Sequence, residues 1–229
     1  MKYKDIKKAL FIKRPNRFIA HVLLDGKEEI VHVRNTGRCK EILAEGTKVI
    51  LEASNNPNRK TAYSLIAAYK GDMLINIDSQ IPNAVVFEGV KQDKIPLISG
   101  VKYLKREVTY GNSRFDMYFE KEESKGFIEV KGVTLEDGGL AMFPDAPTER
   151  GRKHLAEMSH AVSQGYEGYV IFLIQMKGVE AFSPNFVMDP EFSEELKRCS
   201  DKGVKVLAYD SVVKENEITI SQEIRIIGI

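Results

Sequence analysis

Asp116, Glu129 and Lys131 are the residues of this sequence whose types and spacing most clearly permit chemistry. They lie in two short segments whose other positions are largely apolar, namely Phe115, Met117, Phe119, Ile128 and Val130. Because alternate side chains of a strand point to opposite faces, each segment should place its apolar residues on one face and its charged residues on the other. The pattern therefore predicts two strands that present their charged side chains together.

A polar segment, residues 121–126, separates these strands and is suited to a hairpin turn. A turn centred between Glu122 and Glu123 would pair Asp116 with Glu129 on antiparallel strands, with their Cβ atoms about 5 Å apart. Two carboxylates at this distance repel each other unless a cation lies between them. We therefore predict Mg²⁺ or Mn²⁺, ions that prefer oxygen ligands, as a cofactor bound by Asp116 and Glu129.

Such a centre could hydrolyse a phosphodiester. The metal would lower the pKa of its bound water and neutralise charge in the transition state. Lys131 would orient the attacking water or stabilise the same charge, so we predict Asp116, Glu129 and Lys131 as catalytic residues. Glu-x-Lys on a strand is also common on solvated surfaces, where it forms cross-strand ion pairs, and the spacing alone leaves that alternative open.

The charges of the chain are unevenly distributed although the net charge is only +1. Residues 1–80 contain 15 Lys or Arg against 9 Asp or Glu, whereas residues 81–229 contain 19 against 24. A basic half beside an acidic half suits a surface that binds a polyanion next to one that binds a metal ion. The alternative is a random asymmetry of a solvated surface.

Composition also limits the classes of protein. Two cysteines, Cys39 and Cys199, are too few for a metal site built from cysteines, and we expect free thiols rather than a disulfide. No stretch approaches the roughly 20 apolar residues of a membrane-spanning helix. Residues 1–8 are charged and lack the apolar core of a signal peptide. We therefore expect a cytoplasmic protein without a membrane segment.

Residues 1–82 are predicted to form an OB-like β barrel that binds nucleic acid, although a generic barrel would give the same pattern. Alternating apolar residues and turn signals predict five strands and one short helix. The strands span 17–24, 29–34, 48–53, 63–69 and 73–78, and the helix spans 38–44.

Residues 83–229 are predicted to form an α/β domain with a mixed sheet. Asn83 is suited to cap the first helix. Three strands, 101–109, 114–119 and 127–135, follow as a meander, and a helix is predicted over 148–164. The apolar run 168–175, a helix from Asp189-Pro190 to Lys202 and a strand over 204–209 complete a βαβ unit.

Several basic residues are candidates for binding nucleic acid. In the first half they lie near predicted loops and comprise Arg14, Arg17, Arg34, Arg38, Arg59 and Lys60. In the second half Arg150, Lys153 and His154 share one helix face, which could clamp phosphates or simply be solvated. Phe18 and Tyr63 could stack on bases, but such residues more often belong to a core.

The sequence resembles the sugar fermentation stimulation protein (SfsA) family over nearly its whole length. The resemblance is carried by FPDAPTERGRKHL at residues 143–155, NRFIA at 16–20, HVRNTGR at 32–38 and IEVKGVTL at 128–135. It implies an OB-like domain followed by a PD-(D/E)xK restriction-endonuclease-like domain, with Asp116, Glu129 and Lys131 at the motif positions. Glu88 would be a further acid. Cys39, Arg34 and Pro147 depart from the family pattern, and none of them belongs to the motif.

Two hypotheses follow. The first is a divalent-metal-dependent nuclease that binds single- or double-stranded DNA, or RNA. The second, favoured by the regulatory role implied by the resemblance, is a non-catalytic DNA-binding regulator of sugar (maltose) metabolism genes that retains a nuclease fold. A small-molecule enzyme finds no support, because the sequence contains no GxGxxG or P-loop motif. His154 and His160 lack the second pair of ligands that a structural zinc site needs.

Overall fold

The computed structural model describes residues 1–35, 37–56 and 58–229. Its first half is built from six strands. They are β1 (Ile6–Lys13), β2 (Ile19–Leu24), β3 (Lys27–Val33), β4 (Lys48–Ala53), β5 (Tyr63–Lys70) and β6 (Met73–Asn76). Strands β3, β2, β1, β4 and β5 follow one another in the sheet, and parallel pairing of β3 with β5 closes them into a barrel. This confirms the predicted OB-like barrel.

The barrel closes because alternate apolar side chains fill its interior. Val22, Val31 and Leu51 are fully buried, whereas the neighbouring Leu23 and Ile30 are exposed. The five predicted strands are confirmed within a few residues, but β1 was not predicted. The predicted helix over 38–44 is wrong. Cys39 has a φ of 46°, and the segment forms a single turn closed by a hydrogen bond from the Leu43 N–H to the Cys39 carbonyl.

The second half contains three α-helices and ten strands in its described residues. The helices are α1 (Pro82–Lys91), α2 (Glu149–Ser163) and α3 (Pro190–Asp201), and a 3-10 turn spans Pro96–Ile98. The strands of the larger sheet are β7 (Tyr103–Tyr110), β8 (Ser113–Glu120), β9 (Lys125–Val133), β12 (Glu167–Ile174), β14 (Lys205–Lys214) and β15 (Glu217–Glu223). The smaller sheet comprises β10 (Leu135–Asp137), β11 (Leu140–Phe143), β13 (Ala181–Pro184) and β16 (Arg225–Ile226).

The larger sheet is mixed, as predicted, and lies between helices. Its strand order is β15-β14-β12-β9-β8-β7, in which β12 runs parallel to both β9 and β14. Helix α1 packs against β9 and β15, and α2 packs against β8 and β12. The apolar run over residues 168–175, which predicted a strand buried on both faces, corresponds to β12. Its residues from Gly168 onward are all buried. The restriction-endonuclease-like α/β architecture is therefore confirmed.

The start of helix α2 is fixed by its own sequence. The Thr148 side chain accepts a hydrogen bond from the Gly151 N–H at 3.0 Å and caps the first turn. Leu155 and Met158 lie on its buried face, as the apolar spacing predicted. Asp189 caps α3 in the same way, through the Phe192 N–H at 2.9 Å.

The two halves share a buried polar junction. The Gln175 amide donates to the Asn76 carbonyl at 3.0 Å and to the Asp78 carbonyl at 3.1 Å. Lys70 of β5 donates to the Glu136 side chain in β10 at 2.6 Å. The chain crosses from barrel to α/β domain over residues 77–81. The division at residue 82 stays a prediction.

Helix lengths and hydropathy also bear on membrane insertion. Among the described residues, no helix is both long and apolar enough to span a bilayer.

Candidate functional site

The hairpin of β8 and β9 has the register that the sequence predicted. Met117 pairs with Ile128 and Tyr118 pairs with Phe127, so Asp116 and Glu129 are next in line. Regular pairing stops before them, and the Asp116 carboxylate instead accepts a hydrogen bond from the Val130 N–H at 2.7 Å. A side chain thus replaces a backbone acceptor at the point where the two acids meet.

The alternation of faces along β8 is broken at the same point. Phe115 packs against Phe127, with ring centroids 4.9 Å apart, whereas Met117 lies in the apolar cluster that includes α1. The prediction that Phe115 shares a face with Met117 and Phe119 is therefore wrong. On the neighbouring strand β7, Glu107 has a φ of 56° between the paired positions on either side of Asp116. This left-handed residue interrupts the regular pleat.

Asp116 is held at both oxygens. Its Oδ1 accepts from the Asn83 amide of α1 at 2.6 Å, and its Oδ2 accepts from Val130. Burial and the nearby negative charge of Glu129 raise the pKa of Asp116 to about 6. The two carboxylates therefore interact electrostatically, as the hairpin register predicted.

Glu129 is almost fully buried, with 2% of its surface exposed. Its Oε1 accepts from the Lys131 ammonium at 2.6 Å and contacts the Nδ1 of His154 in α2. Its Oε2 is buried and has no hydrogen-bond partner among the described residues. Burial raises the pKa of Glu129, but the hydrogen bond from His154 and the charge of Lys131 outweigh it, so the pKa lies below its usual value. An ionised oxygen without a donor is costly in such a setting.

The donor set suits a hard divalent cation. Asp116 and Glu129 present carboxylate oxygens, and the unpartnered Oε2 of Glu129 is an oxygen that a cation would satisfy. No three His, Cys, Asp or Glu side chains form a metal-binding group within residues 1–35, 37–56 and 58–229. Mg²⁺ commonly uses one or two carboxylates and completes its shell with water and phosphate oxygens.

Two residues, Asn83 and His154, have roles in this site that the sequence did not predict. Asn83 was predicted to cap α1, but the cap position is Ile81 and the Asn83 side chain binds Asp116. His154 was predicted on a phosphate-binding helix face, and the structure turns it toward Glu129 instead. Its place within the 143–155 motif, which includes the first turns of α2, was the available signal. Glu88 lies on the same helix as Asn83, but its carboxylate binds the Met1 amino group at 2.6 Å.

The predicted basic residues fall into three groups. Arg14, Arg17 and Arg38 line one groove together with Asn16, Gly37, Lys40 and Ala146. Arg34 is instead paired with Glu52 at 2.7 Å and Asp78 at 3.1 Å, and Arg59 donates to Ser64 at 3.0 Å. The remaining three, Lys60, Arg150 and Lys153, are exposed, and Lys153 pairs with Glu149 at 2.8 Å. The structure therefore brings only the first group together.

An OB-like barrel joined to a restriction-endonuclease-like α/β domain defines the class of this protein. Residues 12–77 match the profile described as "SfsA N-terminal OB domain", and residues 80–217 match "Sugar fermentation stimulation protein RE domain". The chain belongs to the sugar fermentation stimulation protein (SfsA) family.

Individual relatives extend over the whole chain. A sugar fermentation stimulation protein homolog of Alkaliphilus oremlandii is 57% identical and covers 99% of this chain and 98% of its own length. Homologs from Clostridium botulinum are 55% identical over 97% of both chains. The solved structure described as Pyrococcus furiosus SfsA in complex with Ca²⁺ aligns with a TM-score of 0.90 at 26% identity, over 99% of this chain and 97% of that one.

Proposed function

We propose that this protein is a cytoplasmic DNA-binding protein whose α/β domain is a divalent-metal-dependent phosphodiesterase. The observation that carries the proposal is the buried Glu129 Oε2, which has no donor among the described residues, together with the charge of Glu129 that raises the pKa of Asp116. The described Ca²⁺ complex of the Pyrococcus furiosus relative supports a divalent ion, because Ca²⁺ and Mg²⁺ both take oxygen ligands. RNA is an alternative substrate.

Each residue of the site has a distinct role in this proposal. Asp116 and Glu129 would hold Mg²⁺ or Mn²⁺, which would supply Lewis acidity and activate water when bound. Asn83 and the Val130 N–H fix the Asp116 carboxylate, and His154 fixes Oε1 of Glu129 so that Oε2 stays available. Hydrogen-bonded support of this kind orients the carboxylates before a ligand arrives.

Lys131 would act on the phosphate. Its ammonium group lies 2.6 Å from Glu129 Oε1 and is only 13% exposed. It is therefore close enough to the carboxylates to orient an attacking water or to stabilise negative charge that develops on a phosphate oxygen bound there.

A second function, the non-catalytic DNA-binding regulator of sugar (maltose) metabolism genes, is favoured by one observation. The Lys131 ammonium is already neutralised by Glu129, as expected of a structural ion pair. In this alternative the fold would bind DNA and the acid pair would not turn over substrate.

A cleavage assay separates the two functions. Single- and double-stranded DNA and RNA are incubated with Mn²⁺ and wild-type protein, Lys131→Ala or Lys125→Ala. Lys125 is the matched control because it lies on the same strand, β9, and is exposed. We expect Lys131→Ala to lower the cleavage rate by about 100-fold or more, and Lys125→Ala to leave it nearly unchanged.

The other outcomes are equally decisive. Equal cleavage by all three proteins would show that phosphodiester hydrolysis does not depend on this site. Tight DNA binding without cleavage by the wild type would select the regulator.

A further inference from the structure

A groove of about 350 Å³ lies where the barrel loops meet the segment that precedes α2. Arg14, Asn16 and Arg17 line it from one loop, Gly37, Arg38 and Lys40 from a second, and Ala146 from the α/β domain. The two halves of the chain therefore form this groove together.

Arg14 holds the two loops that line the groove together. Its guanidinium donates to the backbone carbonyls of Arg17 at 2.7 Å, Asn35 at 2.6 Å, and Gly37 and Arg38 at 2.9 Å each. One side chain thus fastens both loops through their backbones. These hydrogen bonds restrain the described residues of both loops, which lowers the conformational entropy lost when a ligand binds.

The groove carries positive charge available to a ligand. Arg17, Arg38 and Lys40 are exposed, and none of them forms a salt bridge with any described residue. The Asp145 carboxylate approaches Gly37 so closely that a Cβ at this position would clash, so one acidic group lies at the domain contact. A groove lined by these three cations suits the phosphates of a polynucleotide backbone.

An aromatic ring adjoins these cations. Phe18 is 53% exposed, although its type suggested a core residue. Its backbone N–H donates to Asn16 Oδ1 at 2.9 Å, and its chain neighbours Asn16 and Arg17 line the groove. An exposed ring next to phosphate-binding cations can stack on an unpaired base, whereas the bases of a duplex are already stacked on each other.

The groove wall is also connected to the acid pair through one helix. The chain at Ala146 continues into α2, whose His154 contacts Glu129. At a helix rise of 1.5 Å per residue, His154 lies about 9 Å along the axis from the cap residue Thr148.

We infer that the groove binds the backbone of a single-stranded polynucleotide, with an unpaired base on Phe18, and that single strands are the preferred substrate. This inference rests on the proposed function for its relevance to cleavage. The binding itself is independent of metal and can be measured without it.

Fluorescence anisotropy in EDTA tests the inference with labelled oligo-dT, oligo-U and a hairpin duplex of equal phosphate number. We expect the wild type to bind single strands at least tenfold more tightly than the duplex at the same salt concentration. Substituting alanine for Arg17, Arg38 and Lys40 together should flatten the logarithmic salt dependence by about 0.7 per lost phosphate contact, or about 2 in all. The matched control replaces the exposed Lys7, Lys27 and Lys48 of the same barrel and should leave the slope unchanged.

The same anisotropy measurement on Phe18→Ala tests the stacking of a base. The substitution should weaken single-strand binding about tenfold without changing duplex binding, and Phe18→Tyr should restore it. A duplex bound as tightly as a single strand, or an equal effect of Phe18→Ala on both, would overturn the inference while leaving the nuclease proposal intact. Failure of the wild type to bind any of the three probes would contradict the proposed function itself.

Discussion

Two glutamates on neighbouring parallel strands of one sheet show how differently the fold can treat a carboxylate. Glu167 begins β12, and its oxygens accept hydrogen bonds from Ser124, Tyr169 and Lys121. Burial opposes its ionisation, but these hydrogen bonds outweigh it and hold the pKa of Glu167 at about 2. Glu129 lies on the adjacent strand β9, and one of its oxygens has no donor within the part of the chain that the structure describes.

The comparison sets a carboxylate with a complete set of donors against one that retains an oxygen without a donor among the described residues. The donors around Glu167 satisfy the group, and its nearest charged neighbours, Lys121 and Lys205, are cations. Glu129 is more deeply buried, yet it shares its surroundings with a second acid whose pKa is raised. Burial together with an unmet oxygen and a like charge is expected where function, rather than stability, has set the environment.

The largest expected difference between the two glutamates is in metal binding. Glu129→Gln should weaken Mn²⁺ binding by at least about 100-fold, because it removes a charged ligand, whereas Glu167→Gln should leave the affinity within about twofold of wild type. Isothermal titration calorimetry measures both. Equal Mn²⁺ affinities for the two variants would contradict the proposal that Glu129 is a metal ligand.

For the free energy of unfolding we expect the reverse, with the larger effect at Glu167. Glu167→Gln should lower the free energy of unfolding by about 1–2 kcal/mol at pH 7, after allowance for solvent screening of a partly exposed group. Since the folded-state pKa is depressed, this contribution is present above pH 4.5 and is lost as the pH falls toward 2. Urea unfolding at pH 7 and pH 3 should therefore show a narrowing difference from wild type. The exposed Glu122, changed to Gln, is the control, and a pH-independent difference would contradict the expectation.

Asp116→Asn should have the smallest effect of the three substitutions, and it should raise the free energy of unfolding instead of lowering it. Because the folded-state pKa of Asp116 is raised from 3.8 to about 6, its favourable contribution is present below pH 3.8 and is lost as the pH rises through 6. Asp116→Asn should thus stabilise the metal-free protein by about 1 kcal/mol at pH 8 and have little effect near pH 4. Denaturation in EDTA at both pH values tests this, with the exposed Asp137→Asn as control. Destabilisation at pH 8 would show that the charge of Asp116 is already compensated in the metal-free protein.

The parts of the fold that depend on local pattern were predictable. The pairing of Met117 with Ile128 followed from the polar turn and the period of two, since a shift by one residue would have moved Glu129 to the opposite face. The start of α3 followed from Asp189, which caps the helix as its residue type predicts, and the predicted helix over 148–164 matches α2 within one residue at each end. The acid pair itself was therefore within reach of sequence analysis.

Features that depend on distant contacts were not predictable. Asn83 has the residue type of a helix cap, but its partner Asp116 lies 33 positions away on another element. The turn at Cys39 requires a left-handed backbone that helix propensity does not report. Likewise, Arg14 and Arg34 carry the same charge as Arg17 in the sequence, and only the fold reveals that their guanidinium groups are engaged by carbonyls and carboxylates.

The buried junction at Gln175 has a mechanical consequence. A hinge needs linker residues whose backbone is free to rotate, but the crossing between the halves is held at Asn76 and Asp78, both about 1% exposed and both bonded to Gln175. These buried hydrogen bonds oppose rotation of the barrel relative to the α/β domain. The junction therefore helps to fix the distance between the Arg14 loops and Glu129.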